Sequence, residues 1–433
     1  MKKYLIIGGI LALLVIVVLA AFLTKNPDNG PTGNVELVWW KTFEDTTNVE
    51  EMINAYQTAH KGVTIKYVKK DVNTYEQDLV NAIASGNGPD IFTIHNDWLP
   101  KHMDKLSPAP ATLLTERQYR DAFIDVVGDD FVKDGKIYAM PMSLDVLALY
   151  YNRDILNSAG ISEPPKTWPE LVSDVQKITR QDTSGAFSRS GVALGTSSNV
   201  NRAVDILLLL MLQNGTQFYS QNLQAATFGQ TQNSPDNPNF NPGGAALQFY
   251  TQFANPGKKT YTWNARTDNS VDAFSQGKLA MMISYSYMEP TIKDKAPTLN
   301  WGVAPVPQVD STGLKVNFAN YWGEGVSKAS SKTKQAAAWD FLKYMVQKDT
   351  LAKYYAKHKL VAVRKDMLPD QYSDLDIGVF AENALTARSV YKPDSGVFEG
   401  VMGKAIDDVV LRNIDPEEAI RNAAQQITMT LRK

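Results

Sequence analysis

An imidazole, an amide, a carboxylate and an indole stand in a row at His95, Asn96, Asp97 and Trp98, where the apolar run of "PDIFTI" ends. Such side chains can bond a hydroxyl-bearing ligand, or they can open a loop and cap the next segment. Position alone favours neither reading. A second carboxylate, Asp145, lies among hydrophobic residues in "PMSLDVLALYY", where a charge is costly unless it is paired or used. Asp97 and Asp145 would serve a glycosidase if they flanked one bond at roughly 5–10 Å with one of them protonated. No other catalytic pattern accompanies them: nucleophile elbows, HExxH helices, phosphate loops and dinucleotide fingerprints are missing from the sequence. Tyr150 and Tyr151 suggest a phenolate pair for ferric iron, but neighbours on a strand face opposite ways. The 4 histidines, His60, His95, His102 and His358, show no metal-ligand spacing beyond a loose His95 and His102 pair. No metal or cofactor is expected.

The elements that hold these groups follow from spacing. "VELVWW" reads as a strand, in which only one of Trp39 and Trp40 can point away from the core. "TTNVEEMINAYQTAH" repeats apolar residues at helical intervals, "GVTIKYVKKD" alternates like a strand, "TYEQDLVNAIASG" is a helix closed by Gly86, and "PDIFTI" is a continuous apolar strand. The order β-α-β-α-β argues an α/β layer whose ligand crevice lies at the carboxyl ends of the strands, and His95 to Trp98 sit at one such end. Farther on, "NRAVDILLLLMLQNG" is a buried helix, "AFSQGKLAMMISYSY" leads through an apolar strand to Tyr285, Ser286 and Tyr287, and "DPEEAIRNAAQQITMTLRK" is a closing helix.

With 433 residues the chain favours two or more lobes, and 44% hydrophobic with 21% charged residues is the composition of a globular protein. A net charge of −2 gives no electrostatic footprint for nucleic acid. The absence of cysteine removes disulfides, thiolate sites and the lipid acceptor of a lipoprotein signal. Lys2 and Lys3 precede the apolar stretch Tyr4 to Leu23, long enough to span a bilayer as an uncleaved anchor (1–25) with the rest of the chain outside. The alternative is a long cleaved signal cut near Ala20 or Ala21. Residues 26–34, "NPDNGPTGN", read as a tether.

Several segments then fall in a familiar order: "GNGPDIF", "YAMPMSLDVLALYYNRDIL", "EPPKTWPEL", "AFSQGKLAMMI", "GVAPVP", and "GVSKASSKTKQAAAWDFLKYM" with "VAVRKDM". From Val35 to Lys433 the chain resembles the extracellular solute-binding proteins of family 1, the maltodextrin-binding type that feeds carbohydrate to ABC importers. The resemblance implies a two-lobe α/β fold of the periplasmic-binding-protein kind (type II-like), with a hinge and a central cleft, following the N-terminal helix. It places one lobe at 35–143 and 307–347 and the other at 144–306 and 348–433, with "MSLD" and "APVP" as crossing strands. It further implies ligand contacts at Trp40, Thr42 and Glu44 after the first strand, at His95, Asn96 and Asp97, at Asp145, at a stacking Tyr287, and at Tyr321 and Trp322 before "GEGVS". Ile94 stands where maltodextrin binders carry a tryptophan, so one stacking surface is missing unless His95 or Trp98 replaces it. The implied protein is a monomer that captures a mono- or oligosaccharide and delivers it to a permease. An exported carbohydrate-active enzyme and a ligand-binding partner of a membrane sensor are the alternatives.

Overall fold

The computed structural model describes residues 34–232, 239–310 and 313–431. The expected anchor and nearly all of the tether lie outside the described residues, and among the described residues no helix is long and apolar enough to cross a membrane.

Two sheets organise the chain. The first has six strands, with Val63–Lys69, Val35–Lys41, Ile91–His95, Trp322–Ser327 and Leu106–Ser107 side by side and Ala139–Pro141 also paired to Trp322–Ser327. Val35–Lys41 pairs in parallel with both Val63–Lys69 and Ile91–His95, because a helix returns the chain after each strand. The helix Thr46–Ala59 buries Val49, Met52, Ile53 and Tyr56, the stripe that its 3–4 residue spacing predicts. The helix Tyr75–Ala84 ends just before Gly86, whose φ of 76° releases the chain into the third strand. The parallel strands therefore end together, and Lys41 and His95 share one edge of the sheet.

The second sheet has five strands: Arg180–Gln181, Phe187–Val192, Leu279–Ser284, Ala148–Asn152 and Trp301–Pro305 in spatial order. Leu279–Ser284 is buried at every residue, as a strand covered on both faces must be. The helix Trp168–Ile178 begins with a capping box between Thr167 and Glu170, and the helix Ala203–Gln213 is apolar nearly all round and almost wholly buried.

Between the sheets runs a ribbon of three short strands, Asp145–Val146, Asn317–Asn320 and Ala387–Arg388. Each lies on one passage of the chain between the two sheet systems, so the molecule is a two-lobe α/β protein whose lobes are joined by a narrow ribbon. The first ribbon strand, Asp145–Val146, begins on the last residue of "MSLD". Trp301–Pro305, which ends within "APVP", is an edge strand of the second sheet, where a proline's missing N–H is tolerated, and the next strand, Asn317–Asn320, lies in the ribbon.

Candidate functional site

The wall on the first lobe starts where the strand Val35–Lys41 runs out. Trp39 is the core indole, and its Nε1 donates to Glu324 Oε2 at 2.8 Å. Trp40 faces the other way and carries the Lys70 ammonium 4.0 Å from its ring centroid. Glu324 also accepts from Thr93 Oγ1 at 3.0 Å and from buried Lys41 Nζ at 2.8 Å. Burial alone would lower the pKa of Lys41, but the charges of Glu324 and Glu44 outweigh it and hold the ammonium protonated. This buried cluster anchors the next three residues. Thr42 Oγ1 and Glu44 Oε2 are buried without a close protein hydrogen-bond partner, although the Tyr354 hydroxyl acts on the Glu44 carboxylate. A buried acceptor left so costs about 1–3 kcal/mol, which a ligand hydroxyl or water would relieve. Between them Phe43 adopts a left-handed φ of 63° and leaves 58% of its surface exposed, with its ring 5.6 Å from Trp322 edge to face. Trp322 packs in turn against His95 at 4.9 Å and Trp98 at 5.3 Å.

The run His95 to Asp97 divides between crevice and interior. His95 Nδ1 donates to Asp97 Oδ1 at 2.6 Å, and Lys392 Nζ donates to Asp97 Oδ2 at 2.9 Å. Burial would raise the Asp97 carboxyl, but His95 and Lys392 together hold it well below the usual carboxylate range. Burial likewise works against a charged His95, and the Asp97 carboxylate reverses that, raising the imidazole. Asp97 is thus occupied by partners from both lobes. Asn96 points inward, where its Nδ2 donates to Asp130 Oδ2 at 3.0 Å. Tyr321, expected in the cleft, is also turned into the interior, and its hydroxyl donates to the same Asp130 oxygen at 2.6 Å. Successive residues of a strand alternate faces, so Trp322 and Tyr321 cannot both line the crevice.

On the second lobe Asp145 accepts from Val146 N at 2.9 Å, Ser286 N at 3.0 Å, Ser286 Oγ at 2.7 Å and Tyr287 N at 3.3 Å. Those four donors fill the capacity of a carboxylate. Desolvation still pushes its pKa up to about 6, because no cation stands among the groups that act on it, although part of its side chain meets solvent. Asp145 therefore fixes the turn that carries Tyr287. The Tyr287 ring is 46% exposed, and its hydroxyl accepts from Arg202 Nε at 2.8 Å.

These groups close into one circuit across the lobes. His95 donates a side-chain hydrogen bond to the Asn320 amide oxygen, Asn320 pairs with Asp145 in the ribbon, and the Asp145 charge acts on Tyr287. From Tyr287 the circuit runs through Arg202 and Asp205 to Lys392, whose protonation is favoured by both Asp97 and Asp205, and so back to His95. Thr42 and Glu44 flank Phe43, which meets Trp322 and through it His95, while Asp97, Asp145 and Tyr287 belong to the circuit; Trp40 carries Lys70, and Asn96 and Tyr321 are turned inward. Phe43, Arg202, Asp205 and Lys392 join them although the sequence pattern had not singled them out. Phe43 had a visible signal, lying between Thr42 and Glu44. Lys392 had none, since its partner is far away along the chain. Among the described residues no group of three or more metal-ligating side chains converges.

Two α/β lobes on a strand hinge, with polar and aromatic groups from both facing one crevice, define a protein that captures a solute. Residues 51–377 match the model of the bacterial extracellular solute-binding proteins, and the chain belongs to that family. It is accordingly a binding protein and not an enzyme. A binding protein of Brucella abortus is 25% identical over 390 residues, 89% of this chain and 90% of its relative. The maltotriose-binding protein of Pyrococcus abyssi is 23% identical over 395 residues, 89% of this chain and 79% of that one. The crystal structure of the cyclic α-maltosyl-1,6-maltose binding protein from Arthrobacter globiformis shares the fold with a TM-score of 0.74 at 20% identity, covering 92% of this chain and 99% of that one.

Proposed function

We propose that this chain is the substrate-binding component of an ABC importer, and that it takes a neutral mono- or oligosaccharide into the cleft and closes over it. The observation that carries the reading is the pairing of aromatic faces with unpartnered acceptors: Phe43 and Trp322 stand beside Thr42 Oγ1 and Glu44 Oε2, with the half-exposed Tyr287 on the other lobe. A pyranose needs flat rings against its C–H faces and acceptors for its rim of hydroxyls. Several charged groups beside the crevice are paired, Lys41 with Glu324, Arg202 with Asp205 and Lys392 with Asp97, and Asp145 is held by neutral donors, an arrangement that suits a neutral solute. Relatives that bind maltotriose and a cyclic maltosyl maltose support the same chemistry. The N-terminal segment would hold the protein at the outer face of the membrane, and the mass of the mature amino terminus distinguishes an anchor from a cleaved signal.

Calorimetry of the purified chain against a panel of mono- and oligosaccharides, amino acids and glycerol phosphate tests the reading. A saccharide is expected to bind with a Kd in the low micromolar range or tighter, about 8 kcal/mol or more. Binding of a charged solute in place of every sugar would overturn it.

A further inference from the structure

The second lobe places a cation behind its exposed ring. Arg202 precedes the helix Ala203–Gln213 in a left-handed conformation, φ 60° and ψ 32°, which an arginine adopts only where the surroundings enforce it. Its Nε donates to the Tyr287 hydroxyl at 2.8 Å, and its guanidinium carbon lies 5.7 Å from the Tyr287 ring centroid and 5.5 Å from that of Tyr285. The two rings are stacked, with centroids 5.8 Å apart and planes at 25°. Asp205 steadies the assembly from below. It is buried, accepts from the Tyr285 hydroxyl at 2.9 Å and stands 3.9 Å from Arg202 Nη1. At its other end the Tyr287 backbone N–H is held by Asp145.

We infer that Arg202 is a positioning residue for the cleft: by gripping the phenol of Tyr287 against Tyr285 it sets the angle at which that ring meets a ligand. The inference rests on the saccharide reading above. A tyrosine half in solvent would otherwise sample several rotamers, and a ligand would have to order it on binding. A guanidinium is suited to this task because its planar fork can bond the hydroxyl, lie along two ring faces and meet Asp205 at once. The strained backbone at Arg202 aims the side chain out of the helix start and toward the rings.

Two measurements separate this inference from the ligand reading. In the first, 3-fluorotyrosine placed at position 287 reports ring motion without any ligand. The fluorine line should be broad in the wild type and narrower in Arg202→Met. Equal linewidths would overturn the positioning role. In the second, maltotriose affinity is compared across Arg202→Met, Tyr287→Phe and the double variant. Each single change should weaken binding about fivefold or more, and the double variant should be no weaker than the worse single one, because both remove the same contact. Arg202→Lys should recover only part of the affinity, since an ammonium can donate to the hydroxyl but cannot lie along both rings; full loss with no recovery and no change in ring motion would also count against the positioning role. Losses that multiply in the double variant would show that Arg202 acts independently of Tyr287 and would overturn the inference. Failure of the wild type to bind maltotriose counts against the ligand reading, and the fluorine comparison then decides the role of Arg202.

Discussion

Phe43 combines two features that folding by itself disfavours, a left-handed backbone and a large ring in solvent. A glycine there would relax the backbone, so Phe43→Gly should leave thermal stability unchanged or raise it by up to about 1 kcal/mol. The same change should weaken saccharide binding about fivefold or more by calorimetry, and unaltered affinity would remove Phe43 from the site. Lys392 and Asp97 present the opposite case, a buried pair in which each side chain is at most 5% exposed. Lys392→Met should lower stability by about 3 kcal/mol in urea unfolding, because it leaves a buried carboxylate with only His95. Adding Asp97→Asn to that variant should recover part of the loss, whereas simple addition of two losses would argue against a coupled pair. The positions of Thr42 and Trp322 at strand ends were legible in the sequence, because apolar runs mark where the strands stop and start. The roles of Asp97 and Asp145 were not, because the partners that occupy them, Lys392 and Ser286, come from remote segments that no local spacing brings near.

At the scale of elements, the junction between the lobes depends on carboxylates held by neutral donors. Asp130, in the helix Asp125–Phe131, accepts from Tyr321, Asn96 and Ser389, and so ties the segments after two of the ribbon strands to the end of the strand Ile91–His95. Burial pushes its pKa up to about 6, as it does for Asp145. A carboxyl whose folded pKa exceeds its unfolded value of about 4 binds more protons when folded. Its contribution to stability is full at low pH and declines as pH rises from about 4 to 6, by on the order of 2–3 kcal/mol. Asp97 has the reverse sign, since its depressed folded pKa gives stability above about pH 4 that is lost on further acidification. Unfolding midpoints of the wild type and of Asp130→Asn between pH 4 and 7 should therefore converge toward neutrality if the wild type starts ahead in acid, with the variant showing the shallower decline. Parallel curves would mean that Asp130 does not titrate in this window. The helices and strands themselves were readable from apolar spacing, because periodicity is a local property. The place of a crossing is harder to read, because the prolines of "APVP" mark an edge strand as readily as a hinge.

At the scale of the whole molecule, length and the β-α-β order already pointed to two α/β lobes, and the family resemblance added their hinged arrangement. The ribbon joins the lobes through two short strand pairings of two residues each. The segment after Ala387–Arg388 supplies further fastening: besides Lys392 with Asp97, Asp394 pairs with Lys101 at 2.9 Å and Ser389 bonds Asp130. The relative stability of open and closed forms is thus set by a handful of polar contacts together with whatever occupies the crevice. The most direct test is a crystal structure of the chain with the tightest saccharide from the binding panel. A sugar ring should lie within about 4 Å of Phe43 or Trp322 on one lobe and of Tyr287 on the other, with hydroxyls bonded to Thr42 Oγ1 and Glu44 Oε2. A sugar bound on an outer face, with those rings and oxygens untouched, would contradict the account.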